Sequence, residues 1–369
     1  MSKRKVLIVM GGSYMGVGGI ESMIMNYYRE IDKQNLKIDF VFFGNGQGLY
    51  DDELEENGSS QYHLPIKSRH YIKSKTEMKK LLLREKYDIV HANLNAAGIL
   101  EALKEAKICG VPIRVAHAHS TNHGTTNKIK WYLNDWDRKR IKNYSTHNFA
   151  CSDLAGKWYF GSERYEIVYN AICPEKFMFD LNKRERIRSD NGVVDKFIIG
   201  HVGNLGYPKN QEFLIEVYAQ IYQENKQTEL WLIGEGENLE HLKCMSKKLG
   251  IEDNVKFLGR RNDVPELLQA IDVFTLPSLF EGFPVSVVEA VAAGLPCVVS
   301  DRITRMVKLT DDVVMLNIDN NHKEWKDTIL KFQNHRRTNN LKVITEAGYN
   351  IKVEAKKMEK FYLTGSVDK

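Results

Sequence analysis

Short apolar runs alternate with longer helical patterns along the whole chain. Several of these runs have no polar alternation, which is typical of parallel strands that are covered on both faces. The repetition of strand and helix in both halves predicts two doubly wound α/β domains. The predicted strands are KVLIVM, KIDFVFF, DIVHAN, IRVAHAH and THNFAC in the first half, and FIIGHVG, ELWLIG, NVKFLG, DVFTLP and PCVVS in the second. The predicted helices include residues 75–86, 209–224, 237–249 and 263–271.

A polar, charged segment near residues 175–195 separates the two halves. The chain has 369 residues, more than a single core usually holds. We therefore predict one domain over residues 1–185 and a second over residues 186–345. Residues 346–369 are predicted to form a helix that packs back towards the N-terminal domain. Its apolar face would hold Ile351, Ala355, Met358, Phe361 and Tyr362.

Composition narrows the class of protein only a little. The formal net charge is +5, which suits an acidic ligand or an anionic membrane surface without requiring either. The five cysteines are scattered, with no CxxC pair, so a reducing compartment is expected and a structural zinc site is not. The apolar run at the start is too short for a signal peptide or a membrane span, and no run elsewhere approaches 18 residues.

Ligands of doubly wound sheets bind beyond the carboxyl ends of the strands, so the residues that follow strands are the candidates for function. After the first predicted strand, Gly18 and Gly19 open a helix, which suits a backbone contact with an anion or a sugar. The loop matches neither a dinucleotide fingerprint, because Glu21 stands where the third glycine would be, nor a Walker A motif.

Two histidines, His117 and His119, lie two residues apart at a predicted strand end and so share one face of the strand. A metal pair is disfavoured because no nearby carboxylate or cysteine completes the ligand set. Contact with sugar hydroxyls is the favoured interpretation, and packing histidines are the alternative. His91, at the end of another strand, is expected to be structural.

The segment NKIKWYLNDWDRKRIKNY mixes aromatic and basic residues. Asp135 and Asp137 form a DxD, but they lie in a predicted helix and do not share a face, so a solvated charged helix is favoured over a metal–nucleotide site. Ile129, Leu133 and Trp136 form one stripe of that helix. Core packing and a peripheral membrane contact are both open interpretations of the stripe.

In the second half, Lys209 follows a strand and a turn that contains Gly203 and Gly206, and it opens a predicted helix. A lysine beside free N–H groups at a helix N-terminus suits a diphosphate.

The stretch SLFEGFPVSVVEAVAAG holds two acids, Glu281 and Glu289, in apolar company. Pro284 is predicted at the first helical position and Gly294 at the helix end. The helix is apolar nearly all round, so we expect Glu289 to be buried and to meet a donor pair such as ribose hydroxyls or an arginine. Glu281 would bind ligand hydroxyls and the helix N-terminus would bind phosphate, which together describe a nucleotide-sugar site.

These residues resemble the retaining glycosyltransferases of family 4, which have the GT-B fold of two Rossmann-like domains facing across a cleft. The E-x7-E element Glu281-GFPVSVV-Glu289 is the main signature. It is accompanied along nearly the whole chain by GGIE (18–21), AHAHS, YNAI (169–172), GN-LGYPKN, LIGEGE (232–237), FLGRRNDV (257–264) and GLPCVVSD (294–301). The segment VVSDRITRMVKLTDDV is similar to transferases of bacterial exopolysaccharide and capsule assembly.

The resemblance implies a role for each matched residue. Glu289 would bind the donor ribose, Glu281 the transferred sugar and Lys209 the diphosphate. His119 would face the sugar near the reacting carbon, with His117 as the competing alignment. The implied catalytic residues are His119, Glu281 and Lys209. The implied donor site comprises Gly18, Gly19, Asn204, Lys209, Gly234, Arg260, Val264, Glu281, Gly282, Phe283, Pro284 and Glu289, and the implied acceptor or sugar contacts are His117 and Asn170.

The resemblance also implies a reaction without a bound metal, in which lysine and helix dipoles stabilise the leaving diphosphate. The expected function is transfer of a sugar, from a UDP-sugar donor, to a lipid-linked polysaccharide precursor. The enzyme would act in the cytoplasm with a peripheral contact to the inner membrane surface, and no nucleic acid partner is expected. The sequence departs from the family at Asn204, which usually is arginine, and at Cys173, which usually is aspartate. A catalytically weak partner subunit is therefore the alternative, and an NAD-dependent oxidoreductase is disfavoured.

Overall fold

The computed structural model describes residues 3–16, 18–94, 100–122 and 127–367. The chain divides into two compact units, one formed by residues 1–171 and 351–369 and the other by residues 172–350. Each unit is built around its own parallel sheet with helices, as the strand–helix alternation predicts.

The first unit holds a sheet of seven strands among the described residues, in the order β3-β2-β1-β4-β5-β6-β7. The strands are β1 (Arg4–Val9), β2 (Leu36–Phe43), β3 (Gln61–Leu64), β4 (Ile89–Leu94), β5 (Ile113–Ala118), β6 (His147–Ala150) and β7 (Glu166–Ile167). The helices are α1 (Gly19–Glu30), α2 (Asp51–Glu56), α3 (Lys67–Glu85), α4 (Leu100–Ile108), α5 (Lys128–Arg140), α6 (Asp153–Phe160) and, from the chain end, α14 (Ile351–Thr364).

The second unit holds a six-stranded sheet in the order β10-β9-β8-β11-β12-β13. Its strands are β8 (Phe197–Val202), β9 (Thr228–Ile233), β10 (Val255–Gly259), β11 (Val273–Leu276), β12 (Cys297–Ser300) and β13 (Val313–Leu316). Its helices are α7 (Leu181–Asp190), α8 (Gln211–Glu224), α9 (Leu239–Lys248), α10 (Val264–Ala270), α11 (Val285–Ala292), α12 (His322–Lys331) and α13 (Leu341–Glu346).

Nine of the ten predicted strands form the inner part of the two sheets and the tenth, β10, is an edge strand, as are the three that the hydrophobic pattern missed. These are β3 (QYHL), β7 (EI) and β13 (VVML), which are short and only partly buried. The strands β3 and β7 carry no continuous apolar run for a sequence pattern to detect, whereas β13 is an apolar run of only four residues.

The division between the units at residues 171 and 172 precedes the boundary predicted at residue 185. The polar segment is not a linker, because its helix α7 packs against α10 of the second sheet layer. Arg184 and Arg188 of α7 both pair with Asp272, which directly precedes β11. At the chain end, α14 lies against α1 in the first unit, and it buries the five residues of its predicted apolar face.

Candidate functional site

Two loops of the second unit meet at the point where its strand order reverses. The sheet places β8 beside β11, although two strands separate them in sequence, and such a reversal is where doubly wound folds bind ligands. The loops that follow these two strands are tied together. The Asn210 side chain donates to the Pro277 carbonyl at 3.2 Å, and the Leu279 N–H donates to the Pro208 carbonyl at 2.8 Å.

This arrangement brings the predicted catalytic residues Lys209 and Glu281 into direct contact. Lys209 Nζ lies 2.7 Å from Glu281 Oε1, and the Ser278 hydroxyl donates to the same oxygen at 2.7 Å. The two charged side chains are 18% and 13% exposed, so the ion pair is sheltered but still open to a ligand. In such a pair the lysine can contact a phosphate group and the glutamate a hydroxyl group of a ligand, in place of their contact with each other.

The sequence pattern predicts that Lys209 opens a helix, but in the structure Lys209 lies before the helix. It ends a 3-10 turn over Tyr207–Lys209, and α8 begins at Gln211. The separation comes from Asn210, whose φ of 54° places it in the left-handed region. The short polar side chain of asparagine tolerates this conformation better than most residues do.

His201 and Gln211 lie behind the lysine and were missed by the sequence analysis. His201, the fifth residue of β8, is fully buried and its Nδ1 bonds the Thr275 carbonyl at 3.0 Å. The Gln211 amide lies 3.1 Å from His201 Nε2 and donates to the Asn204 carbonyl at 2.8 Å. Burial, helped by the Lys209 cation, lowers the pKa of His201 to about 3, so it is a neutral support at neutral pH. The polar residue inside an otherwise apolar strand was the available signal.

Glu289 lies on α11, which begins at Val285 and not at the predicted Pro284. Pro284 is the N-cap, and no side chain caps the helix, so its first N–H groups are left without a side-chain acceptor. The prediction of full burial for Glu289 was wrong, because the residue keeps part of its surface exposed. Burial of its carboxyl group nevertheless raises its pKa to about 7. Within the described parts of the chain no arginine or other side chain pairs with this carboxyl group.

The glycines of one neighbouring loop let two chain segments pack closely. Gly234 has a φ of 142°, and a Cβ atom there would lie 2.0 Å from the Gly203 carbonyl oxygen. A Cβ at Gly236 would lie 2.1 Å from the Leu205 carbonyl oxygen. Gly234 therefore has a structural reason to be glycine, whether or not it contacts a ligand. Asn204, in the loop between them, is exposed.

The remaining predicted donor residues of this unit lie on the same side of the sheet, after strands or before helices. Phe283 is buried and stacks on Tyr349, with ring centroids 5.2 Å apart, and it directly follows Gly282. Arg260 is exposed at the end of β10, whereas Arg261 pairs with Asp263 through contacts of 2.7 and 2.5 Å. Val264 is the first residue of α10.

In the first unit, the predicted histidines lie at the carboxyl end of β5 within a buried hydrogen-bonded cluster. His91 Nε2 lies 3.0 Å from His117 Nδ1, and His119 Nε2 lies 2.9 Å from the oxygen of Asn93. The rings of His117 and His119 are 4.0 Å apart. Burial lowers the pKa of His91 and His119 to about 3 and that of His117 well below its usual range. All three are therefore neutral rings, which suit hydroxyl groups better than phosphates.

Two hydrogen-bonding atoms of this cluster have no protein partner in the described residues, His117 Nε2 and His119 Nδ1. The Asn170 side-chain oxygen is also buried without a partner. Its segment is held by α1, because the Tyr27 hydroxyl donates to the Tyr169 carbonyl at 2.7 Å and the Asn26 side chain to the Ala171 carbonyl at 3.1 Å.

Gly18 and Gly19 begin α1, Gly18 as the N-cap. A Cβ at Gly18 would lie 2.4 Å from a carboxylate oxygen of Glu21, so an acid of the first turn already lies over this helix end.

Cys173, which stands in place of the family's aspartate, donates its thiol hydrogen to Glu175 at 3.3 Å. Burial, and then the Glu175 carboxylate, raise the pKa of this thiol.

The aromatic and basic segment forms α5, and its apolar stripe is not core. Ile129 is 73% exposed, and Leu133 and Trp136 are each 58% exposed, which overturns the core-packing interpretation. The two aspartates pair with basic residues of the same helix, Asp135 with Arg138 and Lys139 and Asp137 with Arg140, as expected for a charged helix.

Within the described ranges, the chain offers no candidate for a metal centre or a membrane span. No three His, Cys, Asp or Glu side chains come together there as a metal-binding group. None of the described helices combines the length and the hydrophobicity that a span requires.

Comparison with known proteins places this geometry in a family. Residues 17–176 match Glycosyltransferase Family 4, and residues 183–350 match Glycosyl transferases group 1. The chain is 31% identical over 341 residues to the Bacillus subtilis protein named "Putative glycosyltransferase EpsF", covering 89% of this chain and 88% of that relative. Over 240 residues it is 31% identical to the Escherichia coli "UDP-Gal:alpha-D-GlcNAc-diphosphoundecaprenol alpha-1,3-galactosyltransferase", covering 62% of each chain.

The fold agrees with these matches. The crystal structure of Anabaena HepE in complex with UDP and glucose superposes with a TM-score of 0.74, covering 97% of this chain and 95% of that one, at 19% identity. A glycosyltransferase involved in lipopolysaccharide biosynthesis, WaaG, superposes with a TM-score of 0.72, covering 97% of this chain and 95% of that one, at 17% identity. The chain therefore belongs to the GT-B glycosyltransferases of family 4 and group 1.

Proposed function

We propose that this glycosyltransferase is a retaining, metal-independent enzyme that transfers a sugar from a UDP-sugar to a lipid-linked precursor of an exopolysaccharide or capsule. The observation that carries the proposal is the Lys209–Glu281 contact of 2.7 Å at the switch point of the second sheet. The name of the Escherichia coli relative, which states a UDP-linked donor and a diphosphoundecaprenol-linked acceptor, supports this choice of substrate classes.

Lys209 would leave Glu281 and pair with the diphosphate when the donor binds. The first N–H groups of α11, which no side chain caps, would donate to phosphate oxygens, because helix N-termini favour negative charge. Glu281 would then accept hydrogen bonds from the sugar in place of its contact with Lys209, with Ser278 keeping its orientation. The Glu289 carboxylate would accept from the ribose hydroxyls, which would supply a partner that none of the described side chains provides.

In the proposed reaction the bond between the anomeric carbon and the phosphate oxygen breaks, and an acceptor oxygen bonds to the same face of the sugar. The acceptor proton passes to the departing phosphate oxygen. Lys209 and the helix N-terminus stabilise the negative charge of the diphosphate as it leaves, the task that a metal ion has in other transferases.

The proposal is tested by incubating the purified protein with a panel of UDP-sugars and lipid-linked acceptors. We expect transfer with retained anomeric configuration, seen by NMR of the product, at a rate that a chelator leaves unchanged. Glu281→Gln should lower turnover about 100-fold. Glu240→Gln, at an exposed position of α9, is the matched control and should keep full turnover.

An inverted product, a chelator-sensitive rate or an active Glu281→Gln variant would contradict the assignment. The alternative, a catalytically weak partner subunit, derives from Asn204, where the family usually has an arginine. It predicts tight binding of a UDP-sugar with neither transfer nor slow hydrolysis to UDP, and restoration of activity only when another transferase is added.

We further propose that α5 rests on an anionic membrane surface, where a lipid-linked acceptor would be found. Besides the stripe, Tyr132 is 70% exposed and Trp131 is 42% exposed. The Arg140 guanidinium lies 3.9 Å from the centre of the Trp136 ring. Exposed aromatic residues beside basic ones are the pattern of helices that lie in the interfacial region of a bilayer.

Sedimentation with lipid vesicles tests the membrane contact. The wild-type protein should bind vesicles that contain phosphatidylglycerol more strongly than vesicles of phosphatidylcholine alone. A Tyr132→Ser, Trp136→Ser double variant should lose most of this binding. Ile108→Ser, which removes an exposed apolar residue of α4, should not. Equal binding by all three proteins would contradict the proposal.

A further inference from the structure

A chain of hydrogen bonds runs from the C-terminal helix to the histidine at the end of β5. The Tyr362 hydroxyl of α14 lies 2.7 Å from His91 Nδ1, and His91 Nε2 lies 3.0 Å from His117 Nδ1. Tyr362 and His91 are each 3% exposed and His117 is fully buried, so solvent does not compete for these bonds. A residue near the end of the chain is thereby linked to a predicted sugar contact.

The hydrogens of this chain can be placed by counting donors and acceptors. His91 Nδ1 is the only partner of the Tyr362 hydroxyl among the described residues. If the hydroxyl accepted from His91, its own hydrogen would be buried without an acceptor, which is costly. Tyr362 therefore donates to Nδ1, and His91 carries its hydrogen on Nε2. His91 then donates to His117 Nδ1, so that the hydrogen of His117 lies on Nε2.

His119 carries its hydrogen on the same nitrogen as His117, but the other ring nitrogen is the one without a partner. The Asn93 amide nitrogen faces the Val9 carbonyl at 3.4 Å, so a flipped amide would bring two oxygens together. The Asn93 oxygen consequently accepts from His119 Nε2 at 2.9 Å. His119 Nδ1 is left as a bare acceptor, and with His117 Nε2 it is one of the two ring nitrogens of this cluster that have no partner among the described residues.

We infer that Tyr362 is a positioning residue which sets the tautomer of His117, so that His117 Nε2–H and His119 Nδ1 offer one donor and one acceptor to a ligand hydroxyl. The rings lie 4.0 Å apart, and a hydroxyl group can accept from one nitrogen and donate to the other. This inference rests on the proposed function for the nature of the ligand, a sugar hydroxyl, but the tautomers follow from the protein alone.

The tautomers are measured on the full-length protein labelled with ¹⁵N-histidine, by long-range ¹H–¹⁵N correlation spectra. We expect the Nε2–H form for His91, His117 and His119 in the wild type. Tyr362→Phe removes the donor to His91 Nδ1, and His117 should then show a mixture of tautomers. Tyr87→Phe is the matched control, because Tyr87 is also 3% exposed in the same unit and donates to Asp39 at 2.9 Å, away from the histidines. An unchanged His117 in Tyr362→Phe, or a wild-type His117 with its hydrogen on Nδ1, would overturn the inference.

The ligand half is tested with UDP-glucose and its single-deoxy analogues. One deoxy analogue should bind the wild type roughly tenfold more weakly, and that preference should shrink to a few-fold in Tyr362→Phe. Addition of UDP-glucose should also shift the His117 Nε2 and His119 Nδ1 signals. Correct tautomers whose signals do not respond to a bound donor would overturn the assignment of the pair to the ligand. The small cavity of about 30 Å³ beside His91, Asn93 and His117 would then point to an internal water. Absence of any donor binding would instead refute the proposed function, while the spectra would still decide the tautomers.

Discussion

The carboxyl ends of the two sheets carry opposite kinds of chemistry. The first unit presents neutral imidazole rings within a buried network, and the second presents an ion pair that solvent partly reaches. The cause is position. His91 and His117 lie inside strands and are covered on both sides, whereas Lys209 and Glu281 lie in loops beyond the strand ends.

The difference matches each unit to one kind of ligand group. Neutral rings in a dry environment bind hydroxyl groups without the cost of desolvating a charge. A diphosphate needs a cation, and Lys209, which pairs with Glu281 at 2.7 Å, is the cation that we propose for it. The same fold thus has a polar sheet edge in one unit and a charged sheet edge in the other. The residues at the strand ends determine which kind of edge each sheet has.

The largest expected effect comes from removing the cation of the second unit. Lys209→Ala should lower transfer about 10²- to 10³-fold, because Lys209 is the side-chain cation that our proposal places at the leaving diphosphate, beside the N–H groups of α11. The readout is the initial rate at saturating donor. Lys243→Ala removes a lysine that is 48% exposed on α9, and it should leave the rate unchanged. A Lys209→Ala rate within threefold of the wild type would break the contrast between the two edges.

Most of the fold could be predicted from the sequence, because parallel strands that are covered on both faces consist of continuous apolar runs. The edge strands β3 (QYHL) and β7 (EI) could not, since they have no continuous apolar run, and β13 (VVML) was missed although its four residues are apolar. The boundary was also misplaced, because a helix rich in arginine resembles a linker until its partner Asp272 is known.

The sequence offers candidate site residues, which stay predictions, but it does not give their contacts. Position after a strand pointed to Lys209 and Glu281. Their pairing depends on the left-handed Asn210 and on backbone bonds between two loops, which no local pattern encodes. The support of His117 by Tyr362 joins residues 245 apart in the numbering only through the intermediate His91, which contacts both. Such long-range bonds follow from the fold and not from spacing.

The buried histidines make the first unit more sensitive to acid than the second. The pKa values of His91, His117 and His119 are lowered by burial, so the unfolded chain binds protons below pH 6.5 that the folded unit does not. Stability is therefore present above pH 6.5 and is lost as the pH falls towards the folded pKa values. Between pH 7.5 and 6.0 the loss should be roughly 2 to 3 kcal/mol for the three residues together.

In the second unit, two groups oppose each other over the same interval. On acidification, the lowered pKa of His201 reduces the free energy of unfolding of this unit. The pKa of Glu289, raised to about 7, has the opposite effect, because its carboxyl group becomes protonated in the folded protein. Hydrogen–deuterium exchange, corrected for intrinsic rates, should show weaker protection at pH 6.0 in β4 and β5 and little change in β8 and β9. Equal losses in both sheets would contradict the assignment of neutral histidines to the first unit.

The smallest effect concerns the pH dependence of UDP binding. The pKa of Glu289 is raised to about 7 by burial, and ribose hydroxyls would donate to its ionised form. Binding should therefore lower this pKa and release a proton near pH 6.5. The affinity for UDP should fall up to about tenfold for each pH unit below 7.

Calorimetry at pH 6.5 in two buffers of different ionisation enthalpy measures the proton released on binding. Glu289→Gln should bind UDP more weakly, release no proton and lose most of the pH dependence, whereas Glu240→Gln should behave as the wild type does. Without UDP, the carboxylate destabilises the folded protein as the pH rises through about 7, so the glutamine variant should unfold less readily than the wild type at pH 8. Proton release that persists in Glu289→Gln would place the titrating group elsewhere, and the second sheet edge would then hold its ligand through Lys209 and Glu281 alone.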